Sequence, residues 1–302
     1  MGAELASTIT ARPGVESEGA RLAAENGLTV AGSRPGLLTY THQLWSYRHF
    51  ISTYSSAVIT ASFNRTKLGR LWQVLTPLCN AAIYYGIFGV VLGTKRDVPN
   101  FIAYLCAGVF VFGFTAQASA AGVQAISKNL SMIRALHFPR ATMPFATTWT
   151  TVLNMLASMA VLFVIVLATG EPVTLRWLTI LPAFALQSVF NIGLSLLLAR
   201  LGNKMPDLKQ LVPFVTRTWM YLSGVFYPAT NFDAHLPHKV AIIAESNPAV
   251  VYIDLIRHAL IHNEKLLWPP QHTWILAICW AAVTFVGGYI YFWHGESEYG
   301  RG

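Results

Sequence analysis

The chain has 302 residues, 54% of them hydrophobic and only 11% charged, against roughly 25% charged in soluble domains. That balance excludes a soluble globular protein and points to a membrane protein. The net charge of +8 does not indicate nucleic-acid binding, because the basic residues gather at the ends of apolar runs, where they suit a membrane surface with anionic lipid.

Residues 1–35 are polar and mixed in charge, with no apolar run of signal-peptide type. They read as a flexible leader without a cleavable signal. Residues 36–302 read as one membrane domain without internal repeats. Leu37, Tyr40, Leu44, Tyr47, Ile51, Tyr54 and Val58 recur at spacings of three and four, which predicts a helix with one apolar stripe. With Trp45 and Arg48 beside the stripe, it suits a helix lying in the membrane interface; packing on the protein itself fits the same pattern.

Six apolar stretches, near 71–94, 101–126, 142–169, 177–199, 211–232 and 274–293, reach the roughly 20 residues that a spanning helix needs. The expected fold is therefore all-α, an integral membrane protein with six transmembrane helices. Cys79, Cys106 and Cys279 lie inside apolar runs, where a thiol behaves as a small hydrophobe. Arg48, Arg65, Lys67, Arg70, Lys128, Arg134, Arg140, Arg200, Lys204 and Lys209 alternate to one side of these spans, facing only Lys95, Arg96 and Arg176. The excess of positive charge predicts that both termini are cytoplasmic.

The stretch "KNLSMIRALHFPRATMP" separates two runs without formal charge, Val98–Ser127 and Ala141–Gly170. Met132, Ile133 and Leu136 share one side and Arg134 points away, so its amphipathic signal is modest. On pattern alone it reads as a solvated turn closed by Phe138 and Pro139. The later stretch "PHKVAIIAESNPAVVYIDLIRHALIHNEKLLWPPQ" holds two apolar pieces broken at Asn247–Pro248, each too short to cross a core of about 30 Å. Re-entrant or interfacial helices before the last span fit it, and so does a loose outer loop.

All 13 acidic residues lie outside the expected spans. The membrane-embedded carboxylates that drive coupled carriers are missing, as is a phosphate-binding loop ending in Lys-Ser or Lys-Thr. Asp254, His258 and His262 are spaced by four, which permits a metal or acid–base reading; polar residues on the wet face of a helix explain the spacing equally well. Thr147, Thr151, Asn154 and Ser158 form one polar stripe, and Gln187, Asn191 and Ser195 another. Such stripes serve helix–helix hydrogen bonding or line a path for a hydroxyl-rich substrate. Arg217 stands about 9 Å inside the fifth stretch at 1.5 Å per residue. It either snorkels to the surface or faces a phosphate-bearing substrate. Trp219 and Tyr221 beside it are candidates for stacking on sugar faces, against ordinary packing.

The runs "FNRTKLGRLWQVLTPL", "FPRATMP", "YLSGVFYP" and "NPAVVYIDLIR", in this order, resemble the permease of polysaccharide-export ABC transporters of the Wzm type, including the branch that exports lipid-linked galactan in mycobacteria. The resemblance covers roughly 37–293. It implies a channel-forming permease rather than an enzyme. Two copies would work with two Wzt-type ATPase subunits that bind ATP and magnesium, and this chain would hold no cofactor or metal. It implies an ATPase-coupling helix over Ser131, Met132, Ile133, Arg134, Leu136, His137, Phe138 and Pro139. An interface helix would carry Tyr40, Leu44, Trp45, Tyr47 and Arg48. An outer gate would include Asn247, Pro248, Tyr252, Asp254 and Arg257. The candidate translocation path comprises Thr147, Thr151, Asn154, Gln187, Asn191, Ser195, Arg217, Trp219 and Tyr221. A polytopic glycosyl- or acyltransferase is the alternative, resting on the Asp254, His258 and His262 set.

Overall fold

The computed structural model describes residues 35–64, 71–91, 93, 98, 100–136, 138–228, 237–296 and 299. The expected leader, apart from Pro35, lies outside them.

The apolar stripe of residues 37–58 forms two helices, α1 (Leu37–Ser46) and α2 (Arg48–Asn64), separated at Tyr47. Tyr40 and Leu44 are buried, whereas Thr41, His42, Gln43, Arg48 and His49 are exposed. The stripe thus packs on the protein, while Trp45 stands 69% exposed with the Arg48 guanidinium 5.6 Å from its ring centre.

Helix α3 (Leu71–Tyr84) continues as a π-helical turn, Tyr85–Val91. Helix α4 (Phe101–Gly122) is apolar all round and buried along most of its length, as expected of a helix at the centre of a bundle. The Asn100 side chain accepts from Ala103 N–H at its start and donates to Glu171 and Thr169. A 3₁₀ turn (Ser127–Asn129) leads into the short α5 (Leu130–Ala135), which stops where Leu136 becomes extended. The long α6 (Thr142–Ala168) follows. A 3₁₀ turn (Leu175–Thr179) then leads into α7 (Ile180–Lys204). Helix α8 (Leu208–Tyr221) contains Pro213. Helices α9 (His238–Glu245) and α10 (Pro248–Leu260) precede the last helix, α11 (Pro270–His294).

Among the described residues, four helical segments are long and apolar enough to cross a membrane: Phe101–Gly122, Thr142–Ala168, Leu175–Lys204 and Pro270–His294. Two of the six expected spans differ from the simple reading. The first is a helix with a π turn instead of one regular helix. The fifth, expected over 211–232, stops at Tyr221, and Gly224 adopts φ +60 in the turn that follows. The helix closes on Leu222 and Ser223, whose N–H groups bond back to carbonyls of its last turn, and the left-handed Gly224 then turns the chain inside the apolar run.

Helices α7 and α11 meet closely at Gly193 and Gly288. A Cβ at Gly193 would overlap the Thr284 carbonyl, and one at Gly288 would overlap the Gly193 carbonyl. In lipid no hydrophobic force draws helices together, so close backbone packing between small residues carries more of the association.

Candidate functional site

Between α3, α4, α6 and α8 lies an open cavity of about 530 Å³. Each wall contributes polar groups to it: Asn80 from α3, Gln117 from α4, Asn154 and Ser158 from α6, Thr216 and Arg217 from α8. Trp72, Tyr84 and Phe112 supply aromatic surface. Amides, hydroxyls, one guanidinium and flat rings suit a ligand that offers many hydroxyls, with phosphate nearby.

Of the candidate path residues, the structure brings Asn154 and Arg217 to this cavity. Thr151 lines two smaller cavities and Thr147 one of them; their hydroxyls bond to the carbonyls of Thr148 and Pro144 in their own helix. Trp219 is edge-on to Phe112 and donates to the Asn247 side chain at 2.8 Å. Tyr221 is exposed, and its carbonyl accepts from Tyr227 Oη–H. Gln187, Asn191 and Ser195 do not line this cavity: their side chains are buried, with Gln187 and Ser195 against α4. Gln187 donates to the Val111 carbonyl at 2.9 Å and to Thr115 Oγ1 at 3.2 Å. The Asn191 amide, 0% exposed, has no hydrogen-bond partner among the described residues. A polar stripe in hydrocarbon seeks either a neighbouring helix or water, and here α4 takes up Gln187 alone, through its amide nitrogen.

The segment before the last helix is tied down by a buried arginine. Arg257 donates to the carbonyls of Tyr104, Gly224 and Val225 at 3.1, 2.8 and 2.8 Å, and its guanidinium lies 3.3 Å from the Tyr104 ring centre. It thereby joins α4, the turn that ends α8, and α10. Asn247 caps α10 by accepting from Ala249 N–H, with Pro248 at the first helical position. Tyr252 donates to the Ala277 carbonyl, and Asp254 accepts from Leu267 N–H. The expected gate residues are therefore one packed unit. The metal reading finds no such unit. The His258 ring pairs with the Glu264 carbonyl and the His262 backbone N–H with Glu171. Among the described residues, no group of three His, Cys, Asp or Glu is placed to hold a metal ion.

At the end of the bundle that carries Lys128, Arg134 and Arg140, helices α1 and α2 cover the short α5 and its exit. The rings of Tyr47 and Phe50 lie 6.3 and 5.8 Å from that of Phe138. Tyr54 donates to Asn129 at 2.7 Å, and Ser55 to the Ala146 carbonyl. Ile133 and Pro139 are buried and Met132 partly so, whereas Ser131, Arg134 and Leu136 are exposed; His137 lies outside the described residues. Ile133 therefore belongs to the core and not to an outward contact surface.

Glu296, just past α11, completes this end. Its Oε1 accepts from Arg140 N–H at 2.9 Å and its Oε2 from Tyr40 Oη–H at 2.6 Å. The Tyr40 hydroxyl in turn accepts from Ala141 N–H, and the Arg140 guanidinium donates to the Glu296 carbonyl. Burial pushes the Glu296 carboxyl above its usual range, while its bonds from Arg140 and Tyr40 pull it back. Neither Glu296 nor the cavity residues Asn80 and Gln117 stood out from sequence. The two amides are single polar groups in apolar runs, and that isolation was their only signal.

The sequence profile of ABC-2 type transporters matches residues 51–261. An O-antigen export system permease protein RfbA of Klebsiella pneumoniae is 27% identical over 209 residues, covering 68% of this chain and 78% of the relative. The RfbA of Myxococcus xanthus is 23% identical, covering 65% and 75%. The polysialic acid transport protein KpsM of Escherichia coli is 22% identical, covering 67% and 78%. The profile spans most of α2, the polar cavity and Arg257 together, and the chain belongs to the ABC-2 type transporter family.

Proposed function

We propose that this chain is the membrane subunit of an exporter that moves a polyprenyl-pyrophosphate-linked polysaccharide, a galactan by the resemblance of its motifs, out of the cytoplasm. The observation that carries the proposal is the cavity of about 530 Å³, whose amide, hydroxyl, aromatic and guanidinium lining suits a sugar chain with an attached phosphate. In this reading the chain crosses the inner membrane six times with both termini inside. Two copies enclose the path, because one set of walls leaves the cavity open and a closed two-fold dimer is the simplest way to complete it. Energy enters from two Wzt-type ATPase subunits, which bind the ATP and magnesium.

Purifying the protein from its native membrane tests the whole assignment. An ATPase subunit is expected to accompany it, and depletion is expected to leave lipid-linked glycan on the cytoplasmic side. Purification without an ATPase, together with unchanged glycan distribution, overturns the reading.

Arg217 provides a test of the cavity. Losing charge-assisted hydrogen bonds worth about 1.5–3 kcal/mol, Arg217→Ala is expected to lower glycan-stimulated ATP hydrolysis at fixed subsaturating glycan by about tenfold or more. Arg217→Lys should restore only part of it, since an ammonium lacks the paired donors of a guanidinium. Unchanged stimulation in Arg217→Ala would assign the side chain to the membrane surface instead.

The ATPase contact falls on the exposed side of α5. Leu136 is 51% exposed, so Arg134→Glu with Leu136→Glu should abolish ATPase co-purification without reducing membrane insertion. Retention of the ATPase at wild-type level in that double variant would remove α5 as the docking element. Ile133→Glu is a poorer probe because it places a charge in the core and disturbs folding.

A further inference from the structure

Helix α5 is only six residues long, and the chain leaves it in extended form. A displacement of so short an element dissipates in the connecting segment unless that segment is held. The holding point is at residues 140 and 141. Both backbone N–H groups are taken up, one by Glu296 and the other by the Tyr40 hydroxyl that Glu296 itself accepts from. A single carboxylate, 7% exposed, therefore joins the start of α6, the end of α11 and helix α1. The backbone of Glu296 is fixed as well by the Arg140 guanidinium. Beyond Glu296, Tyr299 stacks on Phe292 at 4.5 Å and donates to its carbonyl, and so is itself anchored to the last helix.

We propose that Glu296 is a positioning residue for transport: it passes movement of α5 to the last helix and to α1, so that ATP hydrolysis and glycan movement stay coupled. This rests on the exporter reading above. The chemistry requires an acceptor at both carboxyl oxygens, one for an N–H and one for an O–H. Glutamine has the same shape but replaces one acceptor with a donor. Tyr40→Phe leaves the carboxylate and its Arg140 bond in place and removes the branch to α1.

The experiment uses the full complex with its ATPase subunit in proteoliposomes, comparing wild type, Glu296→Gln and Tyr40→Phe. ATP hydrolysis and export of the native lipid-linked glycan are read in parallel. Both variants should retain the ATPase, with basal hydrolysis within about twofold of wild type, while glycan exported per ATP falls about tenfold, the scale of one lost charge-assisted hydrogen bond. A merely structural tie would lower yield and melting temperature and leave that ratio unchanged. A wild-type ratio in Glu296→Gln overturns the inference while leaving the exporter reading intact. Should Glu296→Gln fail to accumulate, Tyr40→Phe decides, and a wild-type ratio there overturns the inference. A wild-type complex that neither hydrolyses ATP nor exports glycan removes the exporter reading and this inference together.

Discussion

Arg257→Ala is expected to lower the melting temperature of the detergent-purified protein by on the order of 10 °C. The carbonyls of Tyr104, Gly224 and Val225 would lose their donor inside the protein. Leaving a buried group unpaired costs about 1–3 kcal/mol, offset in part because a buried cation is removed, so a net loss of about 3–5 kcal/mol is expected. Arg257→Lys should recover less than half of this, because a compact ammonium cannot reproduce the planar fork or its stacking on Tyr104. The same defect can be produced from the opposite side. A Cβ at Gly108 would lie 2.5 Å from Arg257 Nη2 and 3.1 Å from the Val225 carbonyl, so Gly108→Ala should displace the guanidinium. Because both substitutions break one network, their effects should fall well short of additive. Wild-type melting in Arg257→Ala, or additivity in the double variant, would contradict this account.

The second large effect is expected at the α7–α11 contact. Gly193→Ala and Gly288→Ala each push a methyl group into the carbonyl of the facing helix, and backbone cannot move aside as a flexible side chain can. Overpacking of this kind costs about 1–3 kcal/mol for one methyl group. Gly193→Leu should therefore prevent accumulation of folded protein altogether. Gly287 is the internal control, since a Cβ there meets nothing within 4 Å, and Gly287→Ala should be neutral. Resistance to limited trypsin digestion in native membranes distinguishes the variants. Equal resistance in Gly193→Leu and wild type would show that the helices do not meet as described.

Features that depend on one element's own periodicity were legible from the sequence. Within the stripe from Leu37 to Val58, Tyr40 and Leu44 turn inward as the spacing predicts while Val58 at its end is exposed, and the four long helices follow from apolar length. Features that depend on a distant partner were not. The apolar run beginning at Leu211 gives no sign that its helix stops at Tyr221, because that stop is secured by Arg257, 33 residues away from Gly224. Glu296 and Arg140 are separated by 156 residues, beyond the reach of any local pattern. Gln187, Asn191 and Ser195 show a different difficulty. Their spacing establishes a shared polar face, but the same face serves a water-filled path or a neighbouring helix, and only the three-dimensional placement of α4 shows where Gln187 turns. Arg217 stands out in the sequence as an isolated guanidinium in an apolar run, but its place on the cavity wall depends on how α8 packs and not on that isolation.

The length of α8 has a further consequence. Its 14 residues rise about 21 Å, whereas a bilayer's hydrocarbon core is about 30 Å thick. Residues 222–228, which follow it, are turn, bend and irregular backbone and not helix. Hydrocarbon offers such backbone no hydrogen-bond donors, so unwound peptide groups persist only where protein or trapped water receives them. For the carbonyls of Gly224 and Val225, Arg257 does what water does for a surface loop: its guanidinium is a solvation shell built into the sequence and carried by another helix.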